Sequence, residues 1–175
     1  MTGQRPSQMT RDAFVRRFAG VFEHSPWVAE ETWDRGLGRD ADSASGLHAR
    51  MTAALHAADR ERKLDLIRAH PDLAGRLEMA GEMTGESMRE QQSAGLDHCT
   101  PEEYRQFQAL NEAYRERFGF PFIMAVKGST RGEILVAFER RIDNDPETEF
   151  RAALREIERI ALLRLQDLLP ESGRG

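Results

Sequence analysis

The sequence is poor in the features that mark exported, membrane-spanning and nucleic-acid-binding proteins. Its 175 residues include a single cysteine, Cys99, which excludes an internal disulfide and fits a reducing compartment. No apolar run approaches bilayer-spanning length, and the N-terminal residues lack the apolar core of a signal peptide. The net charge is −5 and no long Lys/Arg run occurs, which argues against a nucleic-acid partner. We therefore expect a cytoplasmic protein that binds neither membrane nor nucleic acid.

Motifs for metal ions and common cofactors are also missing. His48 and His56 are eight residues apart, but no HExxH or CxxC motif accompanies them. No glycine-rich loop that would hold a phosphate follows a strand pattern, and no GxSxG nucleophile elbow is present. The sequence therefore predicts neither a metal site nor a bound cofactor.

Helical patterns fill almost the whole chain. Hydrophobic residues make up 39% and charged residues 31%, as in an ordinary globular domain. Three predicted helix starts share a capping residue followed by proline: Ser25-Pro26, Thr100-Pro101 and Asp145-Pro146. We predict helices at 10–22, 26–35, 44–56, 59–69, 101–118, 131–142 and 146–169. The chain is thus expected to be an all-α single domain of about eight helices over 10–170, with a disordered tail at 1–9 and a second tail at 171–175.

One segment, FGFPFIMAVKG at 118–128, interrupts the helical pattern. Pro121 disfavours helix for Phe120, and the apolar run that follows ends at Gly128. We expect a short, buried, extended segment near 120–127. Buried extended backbone outside a sheet needs partners for its N–H and C=O groups. Either another strand or a ligand would supply them.

His70 lies directly before Pro71, at the end of the helix predicted over 59–69. Pro71 disfavours helix for His70, so the ring is expected at a helix C-terminus, where the helix dipole favours a cation. A histidine that only caps the helix explains this placement. Alternatively, Asp72 caps a following helix, and the motif HPDLAGR holds the ring in a short rigid corner between two helices. Rigid placement of an imidazole suits acid–base catalysis.

The stretch GESMREQQSAGLD at 85–97 allows a structural and a functional interpretation. Ser87 and Glu90 have capping-box spacing, which would confine Glu90 to stabilising a helix start. Yet Glu90 and Gln91 place a carboxylate beside a primary amide, a pair that suits a polar ligand with both donors and acceptors.

Arg164 lies close to the apolar face of the last predicted helix, because it follows Ile157 by seven residues. Its stem can pack there while its charged head reaches solvent. The alternative is a guanidinium that meets an anion in a pocket, where it can bind a carboxylate through two parallel hydrogen bonds.

Several segments together resemble one family, the 2-oxo-4-hydroxy-4-carboxy-5-ureidoimidazoline (OHCU) decarboxylases of urate breakdown. The combination of HPDLAG, EQ and FGFPF in this order is specific, and the resemblance extends from about Thr10 to the end of the last helix. The matching segments are FEHSPWVAE (22–30), HPDLAGR (70–76), SMREQQSAGLD (87–97), FQALNEAYRERFGFPFIMAVKG (107–128), ILVAFERRIDND (134–145) and EIERIALLRLQDL (156–168).

The resemblance implies an all-helical, usually homodimeric enzyme without metal or cofactor that converts its small ureidoimidazoline substrate to (S)-allantoin. The family's catalytic histidine and glutamate fall on His70 and Glu90. Its ligand-contacting positions fall on Pro71, Ser87, Gln91, the backbone of Phe122, Ile123, Met124, Ala125 and Val126, and Arg164. Two alternatives differ from this assignment: an acid–base enzyme acting on another ureide intermediate, and a non-enzymatic helical interaction module.

Overall fold

The computed structural model describes residues 3–74 and 84–171, and in these ranges the chain is helical. Neither range contains a strand, so the all-α prediction is confirmed. No helix in the described ranges is long and apolar enough to cross a bilayer. The α-helices are α1 (Arg11–Phe18), α2 (Trp27–Asp34), α3 (Ala44–Ala57), α4 (Arg60–Arg68), α5 (Gly85–Ser93), α6 (Pro101–Phe118), α7 (Arg131–Arg141) and α8 (Pro146–Leu168).

The chain divides into two compact units, one comprising Met1–Leu66 with Glu158–Gly175 and the other Ile67–Ile157. The first unit has a core in which Phe14 and Phe18 lie with ring centroids 4.9 Å apart, next to one another on α1. Further core side chains of this unit come from α2, α3 and α8, among them Val28, Leu47, Met51, Leu55, Ala161 and Leu165.

The second unit has an aromatic core. Phe122 and Phe138 stack with their centroids 3.9 Å apart, and the Tyr114 ring lies nearly perpendicular to both. All three side chains are buried. Because Phe122 belongs to the non-helical segment between α6 and α7, this packing fixes that segment against both helices.

Helix ends in the second unit follow the sequence closely. Thr100 and Glu103 form the predicted capping box at the start of α6. Asp145 accepts the backbone N–H of Thr148 at the start of α8, with an Oδ2–N distance of 3.1 Å. Gly119 ends α6 with φ 77°, a left-handed conformation that suits glycine because it has no Cβ.

Two expectations for the first unit differ from the structure. Ser25 does not cap α2: its hydroxyl donates to the Glu23 carbonyl at 3.0 Å, and α2 begins without a side-chain cap. Residues 6–8, assigned to a disordered tail, form a single 3-10 turn. The Ser7 backbone N–H and hydroxyl both bond the Asp42 carboxylate, at 2.8 and 2.7 Å, which explains why this stretch packs.

Candidate active site

His70 lies just beyond α4 and is buried. Its backbone N–H donates to the Ile67 carbonyl at 3.2 Å. This bond attaches His70 to the last turn of α4. The residue is 6% exposed, and its Nε2 atom is inaccessible to solvent. A helix-capping cation normally keeps contact with water, whereas this imidazole is enclosed by protein. The burial favours the interpretation of a ring held in a defined position.

The segment after His70 is held by its neighbours in the second unit. The Asp72 carboxylate, expected to cap a following helix, accepts from the Arg115 Nε at 2.9 Å. The residues that such a helix would contain, 75–83, lie outside the described part of the chain. Gln91 contacts the same segment through both ends of its amide: Oε1 accepts from the Ala74 N–H and Nε2 donates to the Asp72 carbonyl, each at 3.1 Å.

Helix α5 starts earlier than the capping-box spacing predicts, so the Ser87–Glu90 box is wrong. Thr84 is the N-cap, and its hydroxyl oxygen accepts the Ser87 backbone N–H at 3.2 Å. Ser87, Glu90 and Gln91 therefore lie inside the helix on neighbouring positions of one face. Ser87 and Gln91 are buried, and the Glu90 side chain is half-buried. Glu90 is thus not needed to cap this helix.

The segment after Gly119, predicted to be extended, is non-helical and mostly buried. The partner of the Ile123 carbonyl in this segment is a side chain, not the strand or ligand that we expected. The Arg141 Nη1 atom donates to the Ile123 carbonyl at 2.6 Å, and its guanidinium lies over the Phe122 ring at 4.4 Å. An arginine from α7 was not foreseen in this role, because its partner is a backbone atom that no side-chain pattern marks.

Arg141 also belongs to a buried polar network around Glu149. This carboxylate has no solvent exposure and accepts from Arg141 Nε at 2.9 Å, from the Tyr114 hydroxyl at 2.6 Å and from the Asn144 amide at 3.0 Å. Burial, and then the hydrogen bond to Glu149, raise the pKa of Tyr114 above its usual range. The network links α6, α7 and α8, and it holds the Arg141 guanidinium against the extended segment.

Arg164 belongs to the first unit, whereas His70 and Glu90 belong to the second. Its side chain is 4% exposed, which rules out the first of the two interpretations, a head that reaches solvent. The Nη2 atom lies 3.2 Å from a carboxylate oxygen of Glu23, a residue with no solvent exposure, and Nη1 donates to the Gly20 carbonyl at 3.1 Å. The anion that Arg164 meets is therefore a carboxylate of the protein itself.

The turn that carries Glu23 is backbone-strained. His24, the next residue, has φ 47°, a left-handed conformation that is uncommon for a residue other than glycine. The buried carboxylate thus lies in a turn whose geometry the surrounding contacts enforce. Sequence analysis missed Glu23, although an acid within the apolar run VFEHSPW is a visible signal.

The structure also bears on a metal site and on Cys99 as a nucleophile. In the described ranges, no group of three or more His, Cys, Asp or Glu side chains is arranged to hold a metal ion. Burial raises the pKa of the Cys99 thiol, which opposes formation of a reactive thiolate.

Comparison with known proteins matches nearly the whole chain to one protein family. The family model described as OHCU decarboxylase matches residues 7–166. A 2-oxo-4-hydroxy-4-carboxy-5-ureidoimidazoline decarboxylase of Haloferax volcanii is 47% identical over 167 residues, which cover 95% of each chain. A protein of the same name from Halalkalicoccus jeotgali is 44% identical over 174 residues, covering 99% of this chain and 95% of that one.

The fold has a solved counterpart. The crystal structure of an (S)-allantoin synthase superposes with a TM-score of 0.72 at 31% sequence identity, over 94% of this chain. The aligned part is 52% of that protein, so this chain spans about half of its length.

Proposed function

The chain belongs to the OHCU decarboxylase family, and from this we propose that it decarboxylates 2-oxo-4-hydroxy-4-carboxy-5-ureidoimidazoline to (S)-allantoin in urate breakdown. The observation that carries the proposal is the family match over residues 7–166, together with near-full-length relatives of that name at 44% and 47% identity. Membership of this family makes the protein a carboxy-lyase rather than an interaction module.

The substrate supplies much of the chemistry. When the bond to its carboxylate breaks and CO2 leaves, the electron pair enters the adjacent imine and carbonyl of the ring. The neighbouring ring carbon, which bears the ureido group, then takes up a proton, while the hydroxyl loses its proton and becomes a carbonyl of allantoin. Delivery of the proton to one face alone gives one enantiomer. The protein must turn the carboxylate out of the ring plane, handle the hydroxyl proton and protonate one face.

We assign the proton transfers to His70 and Glu90. A buried imidazole just beyond a helix end and a half-buried carboxylate with no capping duty support this assignment. Gln91, next to Glu90, bonds the backbone two and four residues after His70, which joins the two stretches physically. General acid–base catalysis requires groups held in this way, because a proton moves only over hydrogen-bond distance.

Substrate contacts are assigned to Pro71, Ser87 and Gln91, and to the backbone of Phe122, Ile123, Met124, Ala125 and Val126. The amide of Gln91 lies against the backbone that follows Pro71, where it bonds the Asp72 carbonyl and the Ala74 N–H. The extended segment at 122–126 is non-helical, so its backbone groups are not committed to a helix. Arg164 is a further proposed contact, following the family resemblance.

The test generates the substrate in place. Urate is oxidised by a urate oxidase, the product is hydrolysed by a hydroxyisourate hydrolase, and circular dichroism follows the allantoin formed. With the protein present, we expect (S)-allantoin to appear faster than in its absence. Racemic allantoin at the spontaneous rate would refute the decarboxylase and leave an enzyme acting on another ureide. Following the family resemblance, we also propose a cytoplasmic homodimer, and light scattering on the purified protein tests the oligomeric state.

A further inference from the structure

Three side-chain amides in the second unit bond the backbone that follows His70. Gln91 of α5 bonds the Asp72 carbonyl and the Ala74 N–H. Two residues of α6 complete the set: the Gln108 amide donates to the Ala74 carbonyl at 3.0 Å, and the Asn111 amide donates to the Leu73 carbonyl at 2.9 Å. We call Gln91, Gln108 and Asn111 the amide cluster.

The amide cluster holds a backbone conformation that would not persist by itself. Ala74 has φ 51°, a left-handed conformation that is unfavourable for alanine because of its Cβ. Its N–H and its C=O are both bonded by amides of the cluster, one from α5 and one from α6. Strained residues of this kind persist where the surroundings determine the backbone, and they concentrate near functional sites.

Asn111 has a feature that a purely stabilising residue would lack. The side chain is 4% exposed, and its donor is directed at the Leu73 carbonyl. Its other end, Oδ1, is buried and has no hydrogen-bond partner among the described residues. Such an atom is costly in a protein interior. We therefore attribute to Asn111 the role of fixing the Leu73 carbonyl, and with it the backbone at this point.

We propose that Gln108 and Asn111 are positioning residues for His70. The ring is fixed on one side by the bond from its backbone N–H to Ile67 and on the other by the amide-bound stretch at 72–74. Pro71 between them allows little rotation of the chain. Loss of either amide releases Leu73 or Ala74 and with it the orientation of the imidazole. Misplacement by about 1 Å is enough to lower turnover about a hundredfold in other enzymes.

This proposal rests on the proposed function, and the test uses variants outside the assigned catalytic and binding residues. Gln108→Met and Asn111→Leu remove the donor and nearly keep the side-chain volume. The matched control is Arg115→Met, which removes the ion pair to Asp72 in the same segment without touching an amide-bound carbonyl. Steady-state decarboxylation, melting temperature and far-UV circular dichroism are measured for all three.

We expect Gln108→Met and Asn111→Leu to fold and to lose about tenfold or more in kcat, with KM within about twofold of the parent. Arg115→Met should keep its kcat within about twofold, because the pair is exposed. Gln108→Lys returns an N–H donor to this position and should recover part of the rate. The split between kcat and KM, and the rescue, distinguish positioning from a general effect on stability.

Three results would refute either the proposed function or the positioning role. If the parent protein does not accelerate allantoin formation, the proposed function fails. If the parent is active and both variants keep its kcat, the positioning role fails. The role also fails if both variants lose activity only in proportion to lost folded protein, because the amides would then be purely structural.

Discussion

The Arg164 guanidinium and the Glu23 carboxylate form an ion pair, 3.2 Å apart, in which both side chains are shielded from solvent. The Gly20 carbonyl, which accepts from Arg164 at 3.1 Å, ties the same guanidinium to the turn that carries Glu23. An ion pair in such surroundings costs desolvation energy that its attraction only partly offsets. Removal of one partner is therefore more damaging than removal of both.

Arg164→Met should destabilise the fold, although methionine suits the apolar face of α8. The substitution leaves the Glu23 carboxylate buried without its guanidinium, which should lower the free energy of unfolding by about 3 kcal/mol. The double variant Glu23→Met/Arg164→Met should recover most of that loss. Urea denaturation of the two variants and the parent measures both values. Equal stability of parent and single variant would show that the pair contributes nothing to holding Glu23.

His70→Asn should keep the fold and lose the reaction. Asparagine is polar and smaller, and the backbone N–H that bonds Ile67 is unchanged, so α4 should end as before. Turnover should fall about a hundredfold or more, the usual contribution of a general acid or base. Circular dichroism at two wavelengths reports folding and allantoin formation on the same sample. A well-folded variant with parental turnover would return His70 to a structural role.

Glu90→Gln should separate catalysis from helix formation. Because Thr84 rather than Glu90 caps α5, the glutamine variant should melt at the parental temperature and still lose most of its turnover. Thr84→Ala is the matched control. It should cost about 1 kcal/mol of stability and leave turnover per folded molecule near the parental value. The opposite pattern, with Glu90→Gln melting early and working normally, would contradict the assignment of Glu90 to proton transfer.

Tyr114 should make the protein lose stability in alkali. Burial and the bond to Glu149 raise the pKa of the folded tyrosine above the 10.0 of a solvent-exposed tyrosine. Above that pH the unfolded chain releases the phenol proton while the folded chain retains it, so the free energy of unfolding falls as pH rises. The slope should be about 1.4 kcal/mol per pH unit from this group. Tyr114→Phe removes it, and urea midpoints between about pH 8 and 11 compare the two proteins; parallel curves would contradict the expectation.

Sequence reasoning succeeded where a feature depends on neighbours within one helical turn. The capping box of Thr100 and Glu103, the cap at Asp145 and the left-handed end at Gly119 are all set by residues a few positions apart. It failed at Ser25 and Ser87, where two nearby polar groups compete. Ser25 bonds back to the Glu23 carbonyl, and Thr84 takes the capping position before Ser87.

The hydrogen-bond and ion-pair partners of the candidate site residues were less predictable, because these partners are distant in sequence or are backbone atoms. The pairing of Arg164 with Glu23 joins opposite ends of the chain. The bonds from Gln108 to the Ala74 carbonyl and from Arg141 to the Ile123 carbonyl involve atoms that every residue possesses. The roles of His70 and Glu90 were assigned through the family resemblance, because their positions in the sequence alone allowed a capping role for each.

The bond between Arg141 and the Ile123 carbonyl also changes the nitrogen end of that peptide group. A carbonyl that accepts a hydrogen bond from a cation shifts electron density toward its oxygen, and amide resonance transmits the shift to the nitrogen of the same peptide. That nitrogen belongs to Met124, whose N–H becomes more strongly polarised and a better donor. Arg141 can thereby strengthen the contact that we propose between the Met124 N–H and the substrate.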